Sequence, residues 1–129
     1  MDLSIDKGIL QKAQARAIDT RRDIHKHAEL GLIEFRTAAL VANRLNELGL
    51  EVSVGKEVMD ESSVYGLPPD EAVAQGFARA IEEGADRALI ERMRGGCTGI
   101  VGVLDTGRPG PTLALRADMD ALPIVEHGG

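Results

Sequence analysis

Aromatic side chains are almost missing from this sequence: it has no tryptophan, one tyrosine and two phenylalanines. A surface that binds nucleic acid by stacking on bases needs more of them. Basic residues are also outnumbered, 15 lysines and arginines against 21 acids, giving a formal net charge of -6. Binding to a phosphate backbone rests on clustered cations, so nucleic acid is excluded as the expected partner. Cysteine is limited to Cys97, which rules out an internal disulfide and fits a reducing compartment. Three histidines (His25, His27 and His127) and one cysteine are too few and too scattered for a self-contained zinc site. No apolar run approaches the ~20 residues of a membrane span. The opening MDLSIDKGIL lacks the basic start and long apolar stretch of a signal peptide. The expectation is a cytoplasmic protein with no membrane partner.

What is present is ordinary for a soluble globular chain: 129 residues, 43% hydrophobic and 28% charged, one domain's worth of sequence. Over residues 4–30, Leu10, Ala13, Ala17, Ile24 and Ala28 recur at helical spacing, and Gly31 is the expected stop. A second helix is predicted over 34–48, with Ala38, Val41, Leu45 and Leu48 facing inward and Gly49 as terminator. LEVSV, residues 50–54, alternates with period two and reads as a strand with one buried face. Residues 56–96 interrupt this pattern. Pro68 and Pro69 precede Asp70 and Glu71, which suits the first turn of a helix. Val73, Phe77, Ala80 and Ile81 then supply an apolar stripe, and Leu89, Ile90 and Met93 suggest a further short helix. At about 40 residues this stretch is too small for a core of its own and reads as a helical insertion between strands. GIVGVL (99–104) and TLAL (112–115) are apolar at both parities, as expected of interior strands covered on two faces, and DTGRPGP (105–111) reads as a hairpin link between them.

The segment PTLALRADMDALP concentrates the charged residues that chemistry would use. On an extended path Arg116, Asp118 and Asp120 share one face, so two carboxylates and a guanidinium converge at a strand end. One reading is a metal-proximal or acid-base pair. The other is that Arg116 simply neutralises Asp118 beside a turn. A D-x-D pair also occurs in manganese-nucleotide sites, but nothing else here suggests a nucleotide pocket. Asp105-Thr106-Gly107 mimics the signature of the small dimeric aspartic proteases, yet those are all-β and the first half of this chain is helical. His25 and His27, two apart on a helix, point to nearly opposite sides and cannot chelate one ion. Cys97 reads as a small buried side chain.

Two long segments, RRDIHKHAELGLIEFRTAALVANRLNELGLEV (21–52) and TGIVGVLDTGRPGPTLALRADMDALPI (98–124), together resemble the N-terminal part of the aminoacylase and carboxypeptidase-like metalloamidohydrolases. The intervening VMDESSVYGLPPDEAV is similar to the branch of p-aminobenzoyl-glutamate hydrolase A subunits. The resemblance implies an α/β fold, a mixed sheet flanked by helices, forming the N-terminal portion of a metallohydrolase catalytic domain over residues 1–129 with the helical insertion at about 56–96. It implies hydrolysis of the amide bond of p-aminobenzoyl-glutamate or a related N-acyl amino acid, with zinc or manganese in the full-length enzyme. It also implies partners in the remainder of the catalytic domain and in a homologous second subunit.

Departures from the family pattern narrow the site. Ala28 stands where relatives often carry proline. In the wider superfamily the strand ends in His-x-Asp; here Asp118 takes the histidine position and Asp120 the aspartate position. The resemblance then makes Asp120 a residue that orients a metal ligand and Asp118 a metal neighbour. The Cys-Gly-His-Asp segment, Glu-Glu pair and further histidines that supply the ligands and general base in this branch do not occur in the 129 residues. No metal binding and no turnover are expected of the chain alone. The alternative is a non-catalytic α/β interaction module that completes its sheet with a partner chain.

Overall fold

The computed structural model describes residues 6–124. Ser4, Glu126 and His127 lie outside them. The described residues fall into two compact units, one ending at Ala28 and the other spanning Glu29–Ile124.

The first unit is a single helix, α1, Lys7–Lys26. Asp6 caps it, its carboxylate accepting from the amides of Gly8 at 2.7 Å and Ile9 at 3.1 Å. His25 and Lys26 in the last turn suit the negative end of the helix dipole. The helix is shorter than the predicted 4–30 and Gly31 is not its stop. It ends at His27 (φ -120°, ψ 42°), because Glu29, two residues on, is committed to the start of the next helix. The apolar spacing correctly indicated a helix, but none of its residues is buried: Ile9 and Leu10 remain 65% and 55% exposed.

In the second unit, α2 spans Phe35–Glu47, β1 Glu51–Val54, α3 Asp70–Glu82, α4 Arg87–Glu91 and β2 Ile100–Val103. Single 3₁₀ turns occupy Gly55–Glu57 and Glu61–Ser63. The α/β class stands: helices accompany a sheet of two antiparallel strands, paired Glu51 to Val103 through Val54 to Ile100. The core is built by Phe35, Ala38, Ala39 and Ala42 of α2, Val54, Val73, Phe77 and Ala80 of α3, and Leu89, Ile90 and Met93 around α4. Phe35 and Phe77 meet edge to face at 5.5 Å, and the Arg94 guanidinium lies 4.4 Å over the Phe77 ring. The two phenylalanines of the chain are thus spent on one central contact between α2 and α3.

Helix α2 buries a face rotated from the expected one. Ala38 is inward as predicted, but Val41 and Leu45 are half-buried and Leu48 is 54% exposed. The set 35, 38, 39, 42 has the same helical spacing as 38, 41, 45, 48, and the large ring of Phe35 decides between the two phases.

The strand predictions at the end of the chain are corrected. Residues 112–115 form no strand, and 105–111 form no hairpin: Leu113 is 88% exposed and Leu115 fully so. Turn chemistry is present in the link, where Asp105 accepts from the Gly107 amide at 2.8 Å and Thr106 Oγ1 from the Arg108 amide at 3.3 Å. What is missing among the described residues is a ladder partner, and a strand apolar on both parities gains nothing from water on both sides. For the same reason β2 is not an interior strand, with Val101 and Val103 47% and 55% exposed. Among the described residues, no helix is long and apolar enough to cross a membrane.

Candidate functional site

The candidate site is assembled around a short loop, residues 29–34, that feeds α2. Glu29 is buried and carries no basic partner in the hydrogen bonds it makes. Its Oε1 accepts from the Arg36 amide at 3.0 Å, and its Oε2 from the Thr37 amide and hydroxyl at 2.8 Å each. These amides are donors that the first turn of a helix cannot satisfy internally, so Glu29 caps α2 from seven and eight residues upstream. Glu34, immediately before the helix, makes no cap bond. It turns to the approach to β2 and accepts from Thr98 Oγ1 at 2.7 Å, with both residues buried. Two buried carboxylates are thereby accommodated by neutral donors, which is what burial requires of them.

The loop also receives the acidic segment. The Ala121 amide donates to the Glu29 carbonyl at 2.7 Å. Gly31 faces Asp120: a methyl group on it would lie 3.7 Å from Asp120 Cβ. Met119, between the two aspartates, is half-buried and packs against the core. Residues 119–121 are therefore fastened, while 103–118 are exposed throughout. The two predicted site residues have different surroundings. Asp118 pairs with Arg116 at 2.6 Å, both well exposed, an arrangement worth at most about 1 kcal/mol. Asp120 presents an exposed side chain from an anchored backbone.

The remaining motifs contribute no site. His27 closes α1, its Nδ1 lying 2.9 Å from the Asp23 carbonyl and 3.3 Å from its carboxylate. Among the described residues, no group of three or more histidine, cysteine or acidic side chains is placed to hold a metal ion. Asp118 and Asp120 therefore do not fit a metal on their own. A cleft of about 270 Å³ lined by Arg36, Asn43, Arg44, Glu47 and Asp86 includes neither aspartate. Cys97 is fully buried, and burial pushes its thiol above the ordinary range, reinforced by Glu61 and opposed by Lys56. Because the thiolate is the reacting form, alkylation of Cys97 at pH 7 is expected to run about tenfold or more slower in the folded chain than in denaturant. Equal rates in the two states would contradict this placement.

Glu29 and Glu34 were not legible as structural acids. The only hint is a pair of glutamates bracketing a glycine just ahead of an apolar helix, and no capping-box spacing marks them.

No protein-family model matches the chain. Over 107 residues it is 52% identical to the A chain of p-aminobenzoyl-glutamate hydrolase from Escherichia coli (strain K12), covering 83% of this chain and 24% of that protein. The chain is a homologue of such hydrolases. Indole-3-acetyl-aspartic acid hydrolase of Enterobacter agglomerans is 51% identical over 106 residues, again with 82% of this chain and 24% of the relative covered. The crystal structure of an aminobenzoyl-glutamate utilization protein from Klebsiella pneumoniae superposes with a TM-score of 0.86 at 48% identity, covering 89% of this chain and 29% of that one. This hydrolase homologue thus spans about a quarter of the length of the curated relatives it matches.

Proposed function

We propose that these residues form one wall of the active site of a metal-dependent amidohydrolase, which cleaves the amide of p-aminobenzoyl-glutamate or a related N-acyl amino acid. The observation that carries this reading is the roughly one-half identity, over more than 100 residues, to two hydrolases whose names describe an aromatic acyl group joined to an acidic amino acid. Zinc or manganese is the proposed metal, held by side chains outside the described residues. The role of this chain is to present Asp120 on a fixed backbone, its carboxylate orienting a ligand residue of the intact enzyme, with Asp118 beside it and its charge countered by Arg116. The proposed partners are a homologous second subunit and the rest of the catalytic domain, and the proposed location is the cytoplasm.

A second reading, a sheet-completing interaction module, draws on the exposed Val101, Val103, Leu113 and Leu115. One pair of assays separates the two. The purified chain, given manganese or zinc, is expected to show no turnover of p-aminobenzoyl-glutamate. A chimera in which it replaces the matching quarter of the E. coli relative, expressed with the rest of that enzyme, is expected to hydrolyse the substrate and to stop when a chelator is added. A chimera that folds and assembles but stays inactive would favour the interaction module.

A further inference from the structure

We infer that Glu29 is a positioning residue for Asp120, one that ties the start of α2 to the acidic strand end through its two ends at once; this rests on the amidohydrolase reading. A helix cap is normally supplied by the residue next to the helix, and a Ser, Thr, Asp or Asn at that place would suffice. Here the cap comes from Glu29, whose carboxylate holds the amides of Arg36 and Thr37 while its backbone carbonyl holds the amide of Ala121. One residue therefore fixes both the helix and the segment that carries Asp120. Between the cap and the helix, Gly31 lies against Asp120, so the loop contacts the aspartate itself as well as its neighbour.

The loop is stiff enough for this task. Leu32 sits at φ 67°, a conformation that L-residues other than Asn and Asp rarely adopt. Such a conformation persists only where the surroundings over-determine it. They do so here from several directions. Leu32 O underlies Gly96, where a methyl group would come within 2.9 Å of that carbonyl and 2.5 Å of Leu67 Cδ1. The Ile33 amide closes a turn onto Leu30 O at 3.1 Å, and Ile33 Cβ would lie 3.1 Å from a methyl group at Gly76 in α3. Beyond residue 118 the acidic segment ceases to be exposed on every side at the point where it meets this loop. The anchored backbone and exposed carboxylate of Asp120 are the arrangement a positioning role calls for.

Nuclear magnetic resonance on the 129-residue chain tests this with no need for turnover, so its failure is distinguishable from a failure of the amidohydrolase reading. The Ala121 amide is expected to exchange about tenfold or more slowly than that of Leu115, the margin one hydrogen bond provides. In Glu29→Ala that protection is lost and the Asp120 carboxyl ¹³C resonance moves, while Asp118 stays in place; Glu29→Gln, which keeps one acceptor oxygen, restores part of both. Gly31→Ala leaves the cap intact and also shifts Asp120, through the new methyl contact. If Ala121 exchanges as fast as Leu115 in the parent chain, the inference is overturned even should Glu29→Ala fail to fold. It is equally overturned if Glu29→Ala keeps Ile90 protected and leaves Ala121 and Asp120 unchanged.

Discussion

Gly55→Ala is expected to destabilise the second unit by about 2–5 kcal/mol, measured as a loss of denaturant midpoint. Gly55 ends β1, donates its amide to Gly99 O at 3.0 Å, and offers its own carbonyl to the amides of Val58 and Met59 at 3.1 and 2.9 Å. The chain reverses there at φ 67°, where an L side chain is strained by about 1–2 kcal/mol. The larger part of the cost is steric. A Cβ on Gly55 would stand 2.0 Å from Arg92 O and 2.9 Å from Arg92 C, and these are backbone atoms just past α4 that no side-chain rotation can move aside. Relief requires shifting either β1 or the α4 end, and the second of these carries the fully buried Ile90 and Met93. Gly49→Ala is the matched control, since Gly49 has φ 82° but nothing within 4 Å of the added methyl. It is expected to lose only the conformational part. Equal losses in the two variants would mean that Arg92 yields freely, and would sink the steric argument.

The sequence was most legible where a pattern is local. The 3.6-residue period marked α1, α2 and α3, and strict alternation marked β1, because these signals depend on the chain's own geometry. Which face of α2 turns inward depended on a partner, the Phe77 ring, that lies over 40 residues away, and periodicity has no access to that choice. The end of α1 was misplaced for a related reason: Gly31 looks like a stop, but the decisive event is the capture of the Glu29 carboxylate by amides seven and eight residues on. Strand character at 112–115 was read from composition alone, and composition states only what a segment would do with neighbours on both sides. The site was half legible. Asp118 and Asp120 stood out as a pair, and the expected ion pair of Arg116 with Asp118 is present. Their different surroundings could be seen only once the loop at 29–34 was placed beside residue 120.

Those different surroundings yield the second large effect: in the active chimera, Asp120→Asn is expected to lower kcat/KM about 10–100-fold, and Asp118→Asn by no more than about fivefold. The larger figure is the usual cost of removing a group that orients a metal ligand, and it presumes a carboxylate held at a fixed position. Asp120 meets that condition through the Ala121 to Glu29 hydrogen bond, the half-buried Met119 before it, and the contact with Gly31. Asparagine has nearly the same shape, so the backbone anchors survive and the loss reports the charge. Asp118 lies in a stretch exposed on every side, and Arg116 at 2.6 Å already balances its charge. Removing it frees an arginine at the surface, a change of at most about 1 kcal/mol. Neither substitution is expected to move the thermal midpoint appreciably, because both side chains are solvated. Parallel kinetic and melting measurements on the two variants decide the matter. If Asp118→Asn costs as much activity as Asp120→Asn, the anchoring at residues 119–121 does not select the working aspartate.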